Sequence, residues 1–237
     1  MKKITEPVRL QKFLSGQGIC SRREAEAFIE KGKISVNGKK ATLGDKVTGE
    51  ETIVFNGAEI SVRRNIPSIV LAWHKPHHVE VTFHNEHGGK TLNDFDFGPE
   101  RVVPIGRLDK DSHGLILLTN DGDLGNQIAH PSFSHEKEYV VVVDTPLTPV
   151  ILKKLSSGTL EVNDERVQPC EVHQMKEHVF RIILKEGKNR QIRRMCEACD
   201  LKVKELLRVR VNNIWLNELP EGRWRKLTPE EVQSLKS

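Results

Sequence analysis

The chain of 237 residues has room for one large domain or two small ones. Its 37% hydrophobic and 30% charged residues suit a soluble globular protein, and no apolar run approaches the roughly 18 residues that span a bilayer. The net charge of +4 is unevenly placed: residues 8–64 hold 11 Lys+Arg against 7 Asp+Glu and carry the whole excess, which leaves the remainder at zero. A basic module on a nearly neutral body favours a polyanionic partner. The opening stretch Met1 to Pro7 lacks a signal peptide's apolar core, so a cytoplasmic location is expected.

In the first segment, Val8, Leu10, Phe13 and Leu14 form a helical stripe that ends at Gly16 or Gly18. Ser21 opens a second helix, and Glu24 completes a capping box in which hydroxyl and carboxylate each satisfy an orphan amide. Ala25, Phe28 and Ile29 give that helix its apolar face and Gly32 stops it. Ile34-Ser35-Val36 followed by Asn37-Gly38 predicts a hairpin, and Asp45 to Val47 and Thr52 to Phe55 add extended pieces. Arg9, Lys12, Arg22, Arg23, Lys31 and Lys33 stay outside the apolar stripe. On any single helix this would be a solvated charged face. The runs Arg9-Leu10-x-Lys12-Phe13 and Ser21-Arg22-Arg23-Glu24-Ala25, however, are similar to the S-four RNA-binding module, named after a ribosomal protein. That resemblance implies an RNA-binding domain over 8–64 that reads shape and phosphates, with Arg9, Lys12, Arg22 and Arg23 as its candidate contacts.

The run Arg63-Arg64-Asn65-Ile66-Pro67-Ser68 reads as a linker, and a second domain follows over 69–237. Ile69 to Trp73 is continuously apolar, as in a buried strand, and ends at Lys75-Pro76. His74, His77, His78, His84 and His87 cluster on a loop-like stretch without helical metal spacing, which favours a solvated or RNA-facing loop over a metal site. The polar loop from Thr82 to Gly98 is long enough to be functional, and it is expected near bound RNA.

Two short apolar runs, Val102 to Ile105 and Leu115 to Leu118, then bracket a polar loop, Gly106-Arg107-Leu108-Asp109-Lys110-Asp111-Ser112-His113-Gly114. The runs predict strands, the second ending at the turn Asn120-Asp121-Gly122. Three readings of the loop compete. Its charges face water, as Asp mostly does. Or Asp109, Asp111 and Gly114 begin a calcium loop, which His113 and Asn120 then fail to complete. Or a carboxylate on a loop held by a sheet, two residues after an arginine, is placed for chemistry.

Further on, Leu124 to Ile128 predicts a short helix, Tyr139 to Val143 a strand, Pro149 to Ser156 a helix, and 159–184 several strands. Lys185 to Asn189 turns the chain into a helix carrying Gln191 to Cys196. Val209 to Trp215 and Trp224 to Leu227 are strand-like, and Thr228-Pro229-Glu230-Glu231 starts a last capped helix. Strands dominate without regular βαβ alternation, which predicts an α+β fold on a mixed, mainly antiparallel sheet. Cys20, Cys170, Cys196 and Cys199 form no disulfide framework in a reducing compartment. The Cys196-x-x-Cys199 pair lacks a second pair for zinc, so these thiols read as small apolar residues.

Taken in order, Gly106-Arg107-Leu108-Asp109-x-Asp111-Ser112-x-Gly114-Leu115, then Leu118 to Leu124, Lys137-Glu138-Tyr139, and Glu186 to Met195 resemble the signature of bacterial ribosomal RNA pseudouridine synthases that carry an N-terminal S-four module. The family usually shows Asn before Lys75-Pro76; here it is His74, whose role is left open. The resemblance implies that 69–237 is a catalytic domain isomerising a flipped uridine, with Asp109 as the catalytic carboxylate. It implies Tyr139 as the active-site tyrosine, able to stack on uracil and move a proton; the competing reading is a strand residue packed in the core. It places Arg193 beside Asp109, where a fixed cation favours the ionised carboxylate, and it makes Arg107 the residue that helps open the RNA stack. Isomerisation changes no oxidation state, so neither cofactor nor metal is expected.

Residues 185–210 hold nine Lys+Arg. They read either as a charged helix face or as the RNA path, with Lys188, Arg190 and Arg194 as contacts. The run Asn189 to Glu197 looks most like enzymes of large-subunit rRNA, particularly the branch that also modifies a tyrosine tRNA. Large-subunit rRNA is therefore the favoured substrate, small-subunit rRNA the next, and a monomer is expected. Two rival classes remain. One is a non-catalytic RNA-binding assembly factor. The other is a glycoside hydrolase using Asp109 and Asp111, for which alternating neighbours on an extended segment, facing opposite ways, are a poor start.

Overall fold

The computed structural model describes residues 6–63, 66–85, 88–129 and 135–236. The chain divides into two compact units, one reaching residue 68 and including Pro99–Arg101, the other comprising 69–98 and 102–237. Pro99–Arg101 thus belongs with the first unit rather than the second, and Arg63 grips Glu100 through two N–H···O contacts of 2.7 and 3.0 Å.

In the first unit, Val8–Arg9 is a short strand paired with Lys46–Val47, and the helix is Leu10–Gly16. Val8 therefore opens a sheet instead of the helical stripe expected of it, in keeping with the β-branched preference for a pleated, half-buried site. Helix Arg22–Glu30 begins as the capping box dictates. The Ser21 hydroxyl accepts from the Glu24 amide at 3.2 Å and the Glu24 carboxylate accepts from the Ser21 amide at 2.7 Å. Asn37 (φ 49°) and Gly38 (φ 76°) supply the two left-handed residues that a tight hairpin between Ile34–Val36 and Lys39–Lys40 needs. Leu10, Phe13, Leu14, Ala25, Ile29, Ile34 and Ile53 close a small core, while Arg9, Arg22, Arg23, Lys31 and Lys33 are exposed and Lys12 half-buried. Replacing Ser21 by Ala removes one arm of the capping box. It should cost about 1 kcal/mol, read as a lower urea midpoint for this unit at unchanged slope.

The second unit is built on one large sheet. Its strands run in the order Glu171–Lys176, Val179–Leu184, Lys137–Val143, Val203–Val211, His113–Thr119, Val70–Lys75, Trp224–Lys226. Among the described residues its pairings are antiparallel except that of Val203–Val211 with His113–Thr119. The sheet is therefore mixed and mainly antiparallel. Val70–Lys75 and His113–Thr119 are buried on both faces. Val70, Ala72, Leu115 and Leu117 pack with Leu124, Ile128 and Leu235 on one side; Leu71, Trp73, Ile116 and Leu118 pack with Leu92 and Phe97 on the other. That is why these two strands read as unbroken apolar runs. The strand expected over Val209 to Trp215 instead starts at Val203 and is broken after Val211, where Asn212 (φ 51°) turns the chain into Ile214–Trp215. Helices Pro149–Ser156 and Gln191–Glu197 cover the 137–143 and 179–184 strands, burying Leu155, Ile192, Met195 and Cys196 among Val141, Phe180 and Ile182.

The pairing of His113–Thr119 positions the site. One edge is filled by Val70–Lys75, from Val70 opposite Thr119 to Lys75 opposite Gly114. The other edge is divided. Val103–Ile105 takes residues 117–119, and Val203–Val211 joins only at His113 and Gly114. A gap opens between these two neighbours, and the loop 106–112 leaves the sheet on one side of it and re-enters on the other. All four cysteines are free thiols, and burial pushes Cys196 up to about 12, so it behaves as a small apolar residue. Among the described residues no helix is long and apolar enough to cross a membrane.

Candidate active site

The gap in the sheet is the mouth of a cavity of about 460 Å³, a volume suited to a small ligand. Arg107, Asp109 and Ser112 line it from the loop, Tyr139 and Lys137 from one strand, Leu206 and Arg208 from the next, and 184–192 from the segment entering helix Gln191–Glu197. Of the site residues expected from the sequence, Arg107, Asp109, Tyr139, Lys188 and Arg190 therefore meet at one cavity. Tyr139 is only 9% exposed, and both readings of it hold: it packs in the core against Leu108 and it faces the cavity.

Asp109 begins a tight turn closed by the Ser112 amide donating to its carbonyl at 3.1 Å. The segment is therefore not extended, and the carboxylates of Asp109 and Asp111 do not face opposite ways. One atom, Arg190 Nη1, lies 4.0 Å from Asp109 Oδ2 and 3.8 Å from Asp111 Oδ2. Arg190 reaches them from a left-handed conformation (φ 52°) that caps the helix. The contact is long and partly exposed, hence weak.

Arg193, expected beside Asp109, works from behind the loop. It is 8% exposed, and its Nη2 donates to the Asp111 carbonyl at 2.8 Å and to Ser112 Oγ at 3.3 Å. Burial and Arg190 lower its affinity for a proton, while Asp111 and Asp109 oppose that shift. The two arginines thus divide the role: Arg193 clamps the backbone of the loop, and Arg190 approaches the carboxylates from the cavity. Arg194 is half-buried and donates to Asn189 Oδ1 at 3.2 Å. Lys188 is tied to Glu165 at 2.6 Å and to the Arg166 carbonyl at 3.0 Å. Arg210 is bound to Glu138 at 2.7 Å and to Glu136 at 3.2 Å. The basic run 185–210 spans a loop, a helix and a strand rather than a single helix face.

Two groups that hold the loop escaped the sequence reading. Lys75 is fully buried, and its Nζ donates to the Pro76 carbonyl at 2.8 Å and the Lys110 carbonyl at 3.4 Å. Arg208 is 4% exposed, and its Nε donates to the Leu115 carbonyl at 2.6 Å and its Nη1 to that of Arg107 at 3.5 Å. The period-2 pattern Leu206, Arg208, Arg210 was the available signal, since it puts a guanidinium on a buried face. Burial pushes Lys75 down to about 8 from its ordinary 10.5, opposed by Asp109 and Asp111. The unfolded chain then holds this proton more tightly than the folded one. The contribution of Lys75 to stability should rise as pH climbs from about 8 to 10.5. A urea-denaturation series over that window should be steeper for the wild type than for Lys75→Met.

His74 lies on the 70–75 strand rather than on a loop, with its Nδ1 2.8 Å from the Leu219 carbonyl. The His113 ring packs tilted by 30° against that of His77 at 3.8 Å between centroids, and burial holds His113 down to about 4. His87 lies outside the described residues. Among the described residues no three His, Cys, Asp or Glu side chains are grouped to hold a metal ion.

An acidic loop set in the gap of a mixed sheet, clamped by arginines and faced by a tyrosine, forms a candidate active site on an α+β scaffold. Residues 69–198 match the RNA pseudouridylate synthase family and residues 8–53 the S4 domain, so the chain belongs to the RNA pseudouridylate synthase family and is an enzyme of that class. It is 44% identical over 229 residues to the dual-specificity RNA pseudouridine synthase RluF of Escherichia coli (strain K12), covering 96% of this chain and 78% of that one. It is 38% identical over 237 residues to the ribosomal large subunit pseudouridine synthase B of Bacillus subtilis (strain 168), covering 97% and 96%. A crystal structure of a pseudouridylate synthase superposes with a TM-score of 0.70 at 26% identity, over 96% of this chain and 99% of that one.

Proposed function

We propose that this chain converts uridine to pseudouridine in large-subunit ribosomal RNA, with a tRNA as second substrate. The observation that carries this reading is the 44% and 38% identity, over nearly the whole chain, to a dual-specificity RNA pseudouridine synthase and to a large-subunit one. The reaction breaks the bond from uracil N1 to the ribose, turns the base and joins its C5 to the same carbon. No electron is gained or lost. Asp109 is the catalytic carboxylate, standing in the cavity with Arg190 near its charge; Arg193 fixes the loop that carries it, and Tyr139 offers a ring for the uracil to stack on. Arg107, exposed at the start of the loop, helps part the RNA stack. The module over 8–64, with Arg9, Lys12, Arg22 and Arg23, contacts phosphates, and the domain over 69–237 does the chemistry. The enzyme works in the cytoplasm as a monomer.

Pseudouridine mapping in ribosomal and transfer RNA from cells with and without the gene tests this. A large-subunit position that vanishes on deletion and returns with the wild-type gene is the expected result. A lost small-subunit position would move the target, and an unchanged map would overturn the proposal.

A further inference from the structure

The cavity holds a second feature that the turnover chemistry does not use. Tyr139 and Arg208 are directly opposite in the antiparallel pairing of their strands, so both side chains sit on the cavity side of the sheet, and Lys137 lines the same wall. Arg208 is buried and Lys137 half-buried. Among the described residues no carboxylate lies within ion-pair distance of either. Among the described residues Lys137 Nζ donates to the His135 carbonyl at 3.3 Å, and Arg208 to the carbonyls of Leu115 and Arg107. The two acids of the cavity are engaged elsewhere, Asp109 with Arg190, and Glu186 with Gln191 at 2.6 Å and the Gln168 amide at 2.9 Å. Buried cations are normally paired, because desolvation disfavours the charge. Burial and the neighbouring Arg208 lower the proton affinity of Lys137, which is the expected mark of two like charges brought together without a counter-ion.

We propose that Lys137 and Arg208 form an anion site inside the catalytic cavity, and that its occupant is a phosphodiester of the flipped nucleotide. The missing counter-ion is then supplied by the substrate. A guanidinium fixed by backbone carbonyls and a lysine two residues before Tyr139 would hold the sugar–phosphate while the base is free to turn between bond breaking and bond making. This deepens the pseudouridine reading and rests on it.

The test uses a stem-loop RNA centred on the uridine found by mapping. It is made with natural linkages or with one neutral methylphosphonate on the 5′ or the 3′ side of that uridine. With the full-length wild type, one of the two neutral linkages should raise KM about tenfold, the size of a lost charged hydrogen bond. Lys137→Gln should raise KM by a similar factor on the natural RNA and by less than about twofold further on the neutral one. Lys137→Arg should restore most of the loss, which separates charge from folding. Equal losses for Lys137→Gln on natural and neutral RNA, or a loss in kcat with KM unchanged, would overturn the anion site. Isomerisation of the natural stem-loop by the wild type is the separate check on the underlying reading. Its absence would remove both, whereas turnover with additive losses would remove the anion site alone.

Discussion

Asp109→Asn is expected to reduce isomerisation by a factor on the order of 10³ to 10⁶, the range seen when a reacting side chain is removed. The substitution is isosteric, and Asp109 is 30% exposed with its arginine 4.0 Å away, so little folding energy is at stake. Stability should stay within about 0.5 kcal/mol of the wild type. RNA affinity should be kept or rise slightly, because one negative charge fewer opposes a polyanion. Release of tritium from C5-labelled uridine in RNA measures turnover directly, since C5 loses its hydrogen when it bonds to the ribose. Asp111→Asn is the informative companion. It meets the same arginine but is more exposed, at 56%, and should cost far less. Persistent turnover in the Asp109 variant, or equal losses in both, would remove Asp109 from its role.

Gly114→Ala carries the largest expected effect on stability, about 3–5 kcal/mol, in the class of backbone strain combined with overpacking. Gly114 has φ +108°, a region closed to side chains with a Cβ. A methyl group there would collide with the carbonyl oxygen of Arg208 and stand 2.7 Å from its amide nitrogen, and neither backbone atom can yield. The collision falls on the parallel pairing of Arg208 with Gly114, where the loop carrying Asp109 re-enters the sheet. Gly187→Ala is the control: its added methyl meets nothing within 4 Å. Thermal and urea unfolding of the two variants side by side checks this. A Gly114→Ala protein as stable as the Gly187→Ala control would mean that the two strands do not approach so closely.

Much of the architecture could be read locally. The capping boxes at Ser21 and Thr228, the Asn37-Gly38 turn, and the apolar runs at 70–73 and 115–118 are decided by residues within a few positions of one another. The loop carrying Asp109 was legible for the same reason, as polar residues between two strands. What was hidden depends on partners distant in sequence. Val203–Val211 is a strand because chains on both sides hydrogen-bond to it; its own Lys204, Glu205, Arg208 and Arg210 give no apolar run. Lys75 and Arg208 look like surface cations until the carbonyls of Lys110 and Leu115, 35 and 93 residues away, are seen to receive them. The placement of Arg190 near Asp109 follows from one left-handed residue at a helix start, which no periodicity reports.

The position of Val203–Val211 in the middle of the large sheet also governs how the protein comes into being during synthesis. Until those nine residues have emerged, the sheet is two separate halves, one bearing Tyr139 and the other the aspartate loop. Long-range pairing of this kind is slow, and here a single segment joins the two parts of the sheet. A nascent chain halted before residue 203 is therefore catalytically silent however well its earlier parts have folded. Enzymatic competence arrives in one step, when this strand takes its place.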